Sequence, residues 1–467
     1  MELQNIVRGE PVSLPEMLNA REHRVYFQQE LLKKYGCTLI SFTLNIAGPV
    51  KVFPLAVRTF EEGENLIRSY CKTMGIRLEN CLEHRDKTGF EAFFPAACEP
   101  EKVKRGMVML EENSTLGRLF DIDVIRTDGR KVSRQELGYA ERKCMICSRP
   151  AFECSRSRRH SVSDLQTAAV GIMSDYFADR YAGRIAQTAC RALLYEVHAT
   201  PKPGLVDSDN NGSHADMDVF TFESSALSIL PYFKAFTACG INNAEKPGRE
   251  VMELIRPIGV EAEIEMRRAT NNVNTHKGAI FSFGIFCAAL GILYGRSMPY
   301  SREKLSALCA GIAGDVPEEL NRENASEKEE GTAGEICWKK YHIGGIREEA
   351  AKGYPAVFNI ALPAFCSRAA RGFPLNDAGI LTLVDLMAVT EDTNIIHRSS
   401  EKELRKIQEQ MKQLSADHVE EKNYRRVLKE LDRKFAEQKI SPGGSADLLA
   451  ITYFLYFIEE GISPNKI

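Results

Sequence analysis

The sequence predicts a multidomain protein in which an N-terminal α/β (α+β) domain is followed by an all-α domain. Its 467 residues are about three times the usual length of a single domain, so two or more hydrophobic cores are expected. Hydrophobic residues make up 44% of the chain and charged residues 27%, as in ordinary globular proteins. Strand-like segments fade near residue 180, and we therefore place the domains at residues 1–178 and 179–467.

The N-terminal domain alternates between helical and strand-like patterns. Helical spacing of apolar residues, and short runs of β-branched and aromatic residues, predict these elements in order: a helix over Leu14–Tyr35, a strand over Cys37–Ile46, a helix over Glu61–Met74, a strand over Phe90–Phe94, a helix over Pro100–Glu112 and a strand over Leu119–Ile125. Helix then continues through residues 161–181, without a proline-rich linker.

The C-terminal domain is predicted to be helical with a thick core. The run Gly278–Gly295 has 18 residues without a charge, which reaches the lower limit for a membrane-spanning helix. It contains four glycines and no second such run accompanies it, so we favour a buried helix. Residues Lys402–Lys439 mix both charges and predict exposed helices. The acidic stretch Glu318–Glu330 has no predicted function.

The net charge and the cysteine content of the chain indicate which kinds of partner and which cellular compartment to expect. The formal net charge is −3, whereas binding to nucleic acid usually needs a basic excess. We therefore predict small anionic ligands, no nucleic acid and no membrane partner. The first residues lack an apolar run after a basic start, which predicts no signal peptide. Thirteen cysteines in such a chain predict reduced thiols and a cytoplasmic protein.

Two aspartates in the predicted strand Leu119–Ile125 form the first candidate site. Asp121 and Asp123 are two residues apart and therefore project from the same face of the strand. Paired carboxylates are suited to holding Mg²⁺ on a phosphate, and Arg118 just before them is suited to clamping it. The alternative is a half-buried strand with solvated aspartates, followed by a turn at Asp128 and Gly129.

A cysteine-rich segment follows the aspartates. Cys144, Cys147, Cys154 and His160 have a spacing compatible with a tetrahedral zinc site. The gap between the second and third ligands is short, so we favour buried thiols over structural Zn²⁺. Four arginines in the same segment are either a solvated face or a site for a polyphosphate or an acidic carrier protein: Arg149, Arg156, Arg158 and Arg159.

Taken together, the motifs of the N-terminal domain resemble a known family. They are GRLFDIDV (117–124), SRQELG (133–138), ERKCMIC (141–147) and CSRSRRHS (154–161), and they resemble the phosphoribosyl-dephospho-CoA transferases that load citrate lyase. The resemblance implies a nucleotidyltransferase-like domain in which a serine of the apo acyl carrier (γ) subunit attacks an α-phosphate and diphosphate leaves. It also implies that Asp121 and Asp123 bind the metal and that Arg118 and Arg134 contact phosphate.

Four motifs stand out in the C-terminal domain. They are LLYEVHATPKPGLVDSDNNGSHADMDVFTF (193–222), NTHKGAIFSFG (274–284), VTEDTNIIHR (389–398) and SPGGSADLLA (441–450). A lysine at a helix N-terminus, as in the second motif, is a natural phosphate site. Each motif by itself also fits a turn, a capped helix or a core histidine, so their co-occurrence carries the argument.

The four motifs resemble triphosphoribosyl-dephospho-CoA synthase over nearly all of residues 183–460. The resemblance implies that the 2'-hydroxyl of 3'-dephospho-CoA displaces adenine from ATP, with Mg²⁺ on the triphosphate. Such a displacement passes through an oxocarbenium-like state, which suits nearby carboxylates. The candidate residues are carboxylates Glu196, Asp207 and Asp216, phosphate contacts Lys202, Gly204, His276, Lys277, Gly278, Gly443, Gly444 and Ser445, and metal ligands Asp392 and Asp447.

The two resemblances belong to successive reactions, because the product of the second domain is the substrate of the first. We therefore predict a bifunctional transferase that makes and attaches the prosthetic group of citrate lyase. Three alternatives stay open at this point. The same chemistry serves malonate decarboxylase, the first domain is compatible with a mere docking module for the carrier, and the second is compatible with a nucleoside hydrolase.

Overall fold

The computed structural model describes residues 3–147, 149–314, 333–416 and 423–461. The chain divides into two compact units, Met1–Ala178 and Asp179–Ile467. The first unit mixes helices with a small sheet, and the second is helical. The acidic stretch Glu318–Glu330 lies outside the described residues.

A four-stranded antiparallel sheet forms the framework of the first unit, with the order β2-β3-β1-β4. Its strands are β1 (Thr38–Leu44), β2 (Leu82–Asp86), β3 (Gly89–Ala96) and β4 (Phe120–Ile125). The helices are Leu3–Ile6, Leu14–Tyr35, Pro54–Thr73, Pro100–Asn113, Ala151–Arg156 and Val162–His198, of which the last extends into the second unit, and short 3₁₀ turns cover Thr115–Arg118 and Gln135–Leu137.

The predicted helices and strands of this unit are present, with two differences. The third helix begins at Pro54 rather than Glu61, because proline is pre-organised for the first helical turn. Strand β2 was not predicted. Its sequence LEHRD is charged and every residue in it is exposed, so it lacks the apolar alternation by which strands are recognised.

The two faces of the sheet differ sharply in polarity. Phe42, Ile122 and Val124 are buried in one core cluster with residues from the helices Pro54–Thr73 and Pro100–Asn113. Alternation along β4 therefore directs Asp121 and Asp123 to the other face. The helix Leu14–Tyr35 contacts that face, where Gln28 Nε2 donates to Ser41 Oγ at 3.0 Å and Leu31 and Leu32 pack with Phe93.

The second unit is built around one apolar core. Its further helices are Val219–Asn242, Gly248–Ala269, Lys277–Gly295, Arg302–Ala313, Ala333–Tyr341, Gly345–Ala351, Leu362–Ala370, Leu375–Met387, Thr393–Arg398, Glu401–Ala416, Tyr424–Gln438 and Gly443–Gly461, with a π-helical stretch over Ala356–Ala361. The charged region 402–439 does form helices, but each buries one face, through residues such as Leu404 and Met411 or Leu431 and Phe435.

The apolar helix Lys277–Gly295 is the core helix that the sequence favoured. Within the described ranges it is the one helix long and apolar enough to cross a membrane, and 78% of its most apolar window is buried in this unit. Glycines on this helix and on the neighbouring helix Val219–Asn242 allow the two to pack closely. A Cβ on Gly291 would lie 2.2 Å from Thr237 O, and a Cβ on Gly240 would lie 2.1 Å from Ala288 O. The backbones of two helices therefore meet directly.

This close approach predicts opposite outcomes for two glycine substitutions. Gly291→Ala should lower the free energy of unfolding by about 1–3 kcal/mol, because the added methyl overpacks the contact with Thr237. Gly311→Ala is the matched control, since its helix position is exposed with nothing within 4 Å. It should be stabilising by roughly 0.5–1 kcal/mol through helix propensity. Calorimetry of both variants measures the effect, and equal shifts would contradict the packing argument.

Candidate active sites

The aspartate pair of the first unit lies on an edge strand. Asp121 is paired in register with Thr43 of β1, and Asp123 with Ser41, so all four side chains share one face of the sheet. Asp121 is exposed and, within the described part of the chain, forms no side-chain hydrogen bond or ion pair. Lys131 Nζ lies 2.5 Å from Asp123 Oδ2. The strand thus presents two carboxylates side by side, with a lysine at one end.

A buried group of charges holds the opposite edge of this strand in place. Lys104 Nζ donates to Ile122 O at 2.7 Å, and Ile122 N donates to Glu111 Oε1 at 3.4 Å. Burial raises the pKa of Glu111, while Arg142, Lys104 and Arg134 lower it. Arg134 forms ion pairs with Glu111, at 2.6 Å, and with Glu112. Arg134 is therefore already paired with two carboxylates, whereas the family resemblance implied that it contacts phosphate.

Arg118 has a different position. It is exposed at the end of the 3₁₀ turn Thr115–Arg118, and its NH1 donates to Lys143 O at 3.0 Å. Arg142 NH2 donates in return to Gly117 O at 3.0 Å and to Arg118 O at 3.3 Å. These bonds join the turn before β4 to the cysteine-rich segment.

The cysteine-rich segment has the buried thiols that we expected at Cys144 and Cys154, and it also brings the four predicted ligands together. The ligand atoms of Cys144, Cys147, Cys154 and His160 all lie within 4.8 Å of one another. The short gap between the second and third residues is spanned because the chain reverses between Lys143 and Pro150, which form an isolated β-bridge. The spacing that argued against convergence is therefore compatible with it.

The second unit contains a polar cavity of about 280 Å³ where three of the sequence motifs and the end of the fourth meet. It is lined chiefly by polar and charged residues: Glu196, Lys202, His214, Asp216, Asn274, Thr275, His276, Lys277, Gly278, Asn394, Arg398, Ser441, Gly443 and Asp447. A neighbouring cavity of about 430 Å³ shares Asn274, Lys277, Gly278, Asn394 and Asp447 with it. The shared wall gives a bipartite site of the size that small ligands occupy.

A buried ion pair lies at one wall of the first cavity. Glu196, near the end of the helix Val162–His198, is 5% exposed, and Lys202 in the following loop is 1% exposed. The Lys202 ammonium donates to the Glu196 carboxylate and, at 2.6 Å, to Glu196 O. Burial raises the pKa of Glu196 and the charge of Lys202 lowers it. Since neither charge has another described ion-pair partner, removing one would leave the other buried and uncompensated.

Asp207 and Gly204 organise the loop that carries Lys202, and neither is among the described residues that line these two cavities. Asp207 accepts four hydrogen bonds, from Thr200 Oγ1, Lys202 N, Asp209 N and Asn210 N, at 2.7–3.0 Å. Gly204 has φ +72°, and a Cβ there would lie 2.2 Å from Ile440 O. These contacts support the loop, and the predicted catalytic role of Asp207 and phosphate-binding role of Gly204 stay predictions.

His276 lies at the cavity wall as a neutral side chain. Thr275 Oγ1 donates to Ser225 Oγ at 2.7 Å, and Ser225 Oγ lies 2.7 Å from His276 Nδ1. This contact pairs Nδ1 of the buried imidazole with a hydroxyl group. Burial, followed by the charge of Lys202, lowers the pKa of His276 to about 3. The imidazole is thus neutral, and its Nε2 is buried without a partner among the described residues.

Asp447 lines both cavities. A Cβ on Gly278 would lie 2.0 Å from Asp447 Oδ2, so any larger residue at this position would displace the carboxylate. Burial raises the pKa of Asp447 well above its usual value, and the charges of Glu196 and Asp392 raise it further. Lys277 lines both cavities as well, 3.2 Å from Glu263. A carboxylate and a lysine therefore share the wall between the cavities.

Asp392 fastens the loop that carries the remaining glycines. It is 1% exposed and accepts hydrogen bonds from Ser445 N at 2.9 Å, Ser445 Oγ at 3.2 Å and Asn394 N at 3.0 Å. Both Asp392 oxygens and the Ser445 amide are thus occupied within the protein. Gly443 reaches the first cavity and Gly444 the second, so these two glycines, unlike Ser445, are available to a ligand.

Several cavity residues were missed by the sequence analysis. Arg398 lies at the end of the motif VTEDTNIIHR and approaches His214 Nδ1 at 3.4 Å. The motif pointed to this part of the chain, but the sequence analysis named only Asp392 within it as a candidate site residue. In the second cavity Arg267, Arg347 and Lys352 add positive charge. Arg267 belongs to no motif, so only the tertiary structure brings it to the site.

Comparison with known proteins agrees with this division. The sequence profile of the family CitG, described as ATP:dephospho-CoA triphosphoribosyl transferase, matches residues 182–466. That of CitX, described as apo-citrate lyase phosphoribosyl-dephospho-CoA transferase, matches residues 12–176. The chain belongs to the family of CitX–CitG fusion proteins.

Full-length relatives have the same arrangement. Protein CitXG of Haemophilus influenzae is 33% identical over 455 residues, 96% of each chain. Protein CitXG of Leuconostoc mesenteroides is 32% identical over 461 residues, 96% of this chain and 97% of the relative. The 2-(5''-triphosphoribosyl)-3'-dephosphocoenzyme-A synthase of Haemophilus ducreyi is 39% identical over 326 residues, 66% of this chain and 98% of the relative.

Both parts of this CitX–CitG fusion are transferases. The chain combines synthesis of triphosphoribosyl-dephospho-CoA from ATP and 3'-dephospho-CoA with its attachment to apo-citrate lyase. The prediction of a bifunctional enzyme is confirmed. The matched CitX family is the one that serves citrate lyase, rather than the malonate decarboxylase considered as an alternative.

The raised pKa of Asp447 predicts a pH-dependent stability difference. The folded state takes up the Asp447 proton more readily than the unfolded state, whose pKa is near 3.8. Wild-type stability is therefore lost as pH rises from about 4 towards the folded pKa, whereas Asp447→Asn lacks this loss. The variant should be more stable than wild type at pH 8, and the difference should vanish near pH 4. Asp216→Asn, at an exposed carboxylate, is the control, and a difference for Asp447→Asn that is constant with pH would contradict the assignment.

Proposed function

We propose that the helical unit makes the triphosphoribosyl precursor in its bipartite cavity, and that the sheet unit attaches it at the edge of β4. The observation that carries the first part is the charge pattern of the cavity. Carboxylates Glu196, Asp216 and Asp447 face the same space as the cations Lys277 and Arg398. Carboxylates suit a developing positive charge on ribose, and cations suit a triphosphate.

The triphosphate of ATP is assigned to the cationic wall. Lys277 begins the helix Lys277–Gly295, so its ammonium adds to the partial positive charge of the helix N-terminus. Gly278 and Gly443 line the same cavity, and we assign them to contacts between the backbone and phosphate. His276, a neutral imidazole, contributes a hydrogen bond without charge.

We assign the carboxylates of the cavity to two roles in the ribosyl transfer, general base and metal ligand. The 2'-hydroxyl of dephospho-CoA bonds to C1' of the ATP ribose and gives its proton to a base, while the bond from C1' to adenine breaks and adenine leaves with a proton taken up from solvent. Asp216 is exposed and lines the cavity, and we assign it as the general base that accepts the hydroxyl proton. Glu196 and Asp447 repel each other electrostatically, and they supply the oxygen ligands that Mg²⁺ prefers. Bound Mg²⁺ would neutralise triphosphate charge there.

The assignment of Asp216 predicts a selective loss of precursor synthesis. Asp216→Asn should lower the rate of adenine release from ATP plus dephospho-CoA by about 10²–10⁴-fold, because the hydroxyl loses its proton acceptor. Asp209→Asn is the matched control, since Asp209 lies in the same loop but its carboxylate is paired with Lys429 at 2.9 Å, away from the cavity.

Adenine release is followed by chromatography with and without dephospho-CoA. A wild-type rate in Asp216→Asn would remove this residue from the mechanism. Release of adenine at the same rate without dephospho-CoA would instead indicate a nucleoside hydrolase, which transfers ribose to water.

The second part of the proposal concerns attachment to the carrier. We assign the sheet unit to a nucleotidyltransferase-like fold, in which Asp121 and Asp123 hold Mg²⁺ on one face of β4. The carrier serine attacks the α-phosphate, a new phosphate ester forms, and the bond to diphosphate breaks. The two carboxylates offer oxygen ligands at adjacent positions of a rigid strand, and exposed Arg118 lies just before them for the acidic groups of the substrate.

This assignment predicts a separation of the two activities. Asp121→Asn and Asp123→Asn keep the size of the side chain but remove charge, so the rate of carrier modification should fall about a hundredfold or more. Adenine release should stay at the wild-type rate. Asp128→Asn is the matched control, because Asp128 is an exposed turn residue in the segment after β4.

Both products are followed in one reaction, adenine by chromatography and modified apo acyl carrier subunit by mass spectrometry. Carrier modification at the wild-type rate in either variant would refute the metal-pair assignment. Loss of both activities together would refute the division of labour between the units.

A further inference from the structure

We propose that Cys144, Cys147, Cys154 and His160 bind a structural zinc ion in the CitX unit. Their four ligand atoms lie within 4.8 Å of one another, and the sulfurs of Cys147 and Cys154 are 3.4 Å apart. In a tetrahedral site with zinc–sulfur bonds of about 2.3 Å, two sulfurs are about 3.8 Å apart. Small side-chain adjustments therefore produce the coordination geometry.

The local backbone is folded to bring the first two cysteines together. Cys144 N donates to Arg149 O at 2.8 Å, and Ala151 N donates to Arg142 O at 2.7 Å, so the chain forms a tight hairpin. Within it, Ile146 N donates to Cys144 Sγ at 3.5 Å. Amide-to-sulfur bonds of this kind orient a ligating thiolate. The hairpin thus presents the Cys-x-x-Cys pair from one turn.

The other two ligands come from the segment directly after the hairpin. Cys154 lies on the short helix Ala151–Arg156 and is buried. Arg159 N donates to Cys154 O at 3.1 Å, and this turn returns the chain so that His160 reaches the three sulfurs. Each ligand is therefore positioned by hydrogen bonds of its own backbone segment.

His160 gives an independent indication of a ligand. Its Nε2 is buried and has no hydrogen-bond partner among the described residues. A buried nitrogen without a partner destabilises a protein, and such atoms are rare in native structures. Here the atom belongs to a cluster of three sulfurs, and coordination to a metal would satisfy it.

The donor set selects the metal. Three sulfurs and one imidazole nitrogen are soft ligands, which favour zinc over magnesium or calcium. Four protein ligands complete a tetrahedron and leave no open position, so the site is structural rather than catalytic. All thirteen cysteines are free thiols in the described ranges, and a separation of 3.4 Å is well beyond a disulfide bond of about 2.05 Å.

The position of the site gives the ion a role in carrier attachment. The hairpin is joined to the turn before β4 through Arg142 NH2 to Gly117 O and Arg118 NH1 to Lys143 O, both at 3.0 Å. Zinc would therefore help to fix the turn that carries Arg118, directly before β4. The cysteines and histidine are positioning residues for the transfer, and this role, unlike metal binding itself, rests on the proposed function of the sheet unit.

The test uses the full-length protein, purified without chelators. Elemental analysis should find about one zinc per chain, as expected for a closed four-ligand site. Replacement by Co²⁺ should give the intense visible bands of tetrahedral cobalt together with thiolate charge-transfer absorption. Cys147→Ser and Cys154→Ser should lose both signals, while Cys37→Ser and Cys81→Ser, at half-buried thiols of the same unit, should keep them.

The activities of the same variants separate the two parts of the inference. Carrier modification should fall in Cys147→Ser and Cys154→Ser, whereas adenine release should stay unchanged. Zinc binding with unaltered transfer would refute the positioning role alone. Fully active wild-type protein without zinc, or with Cys147 and Cys154 joined in a disulfide, would overturn the site, and this measurement decides the question even if a variant fails to fold.

Discussion

The buried ion pair between Glu196 and Lys202 is the interaction on which the synthase site depends. Two opposite charges are withdrawn from water, so each needs the other, and both need neighbouring dipoles to offset the cost of desolvation. The loop after Glu196 provides this. Asp207 accepts four hydrogen bonds that fix the backbone around Lys202. Burial, together with the charge of the fixed lysine, keeps His276 neutral, and the cavity therefore has an uncharged imidazole beside its carboxylates.

The carboxylates of this enzyme thus divide into two groups by their surroundings. Asp207 and Asp392 are nearly saturated with hydrogen bonds and hold loops in place, whereas Asp216 and Asp447 face a cavity. A saturated carboxylate contributes rigidity but has little capacity left for a ligand. Catalysis needs both groups, because a base or metal ligand is effective only when the backbone that carries it is held still.

In the transferase unit, too, some polar residues hold the backbone in place while others lie on the surface of the sheet. One face of β4 is apolar and packs against two helices, and the other face carries Asp121 and Asp123. Glu111 and Lys104 bind the backbone of Ile122 between them, so the strand is held where no neighbouring strand pairs with it. The cysteine-rich hairpin is fastened to the turn before β4. These contacts hold the strand and the turn in place, while Asp121 is exposed and Asp123 is half-buried beside Lys131.

The sequence by itself determined the division into a mixed unit and a helical unit, the main helices and strands, and the family. The periodicity of apolar residues shows which residues share a face of a helix or strand. The family motifs are short stretches that can be read directly from the sequence. It also placed Asp121 and Asp123 together, since alternation is a local property of a strand. Only the tertiary structure decided which carboxylates face a cavity. Asp207 and Asp216 lie in one loop and look alike in sequence, but their partners come from backbone groups that the fold positions. Arg267 joined the site without a motif, and the convergence of the cysteines with His160 depended on a chain reversal, because contacts between distant residues follow from packing rather than from local spacing.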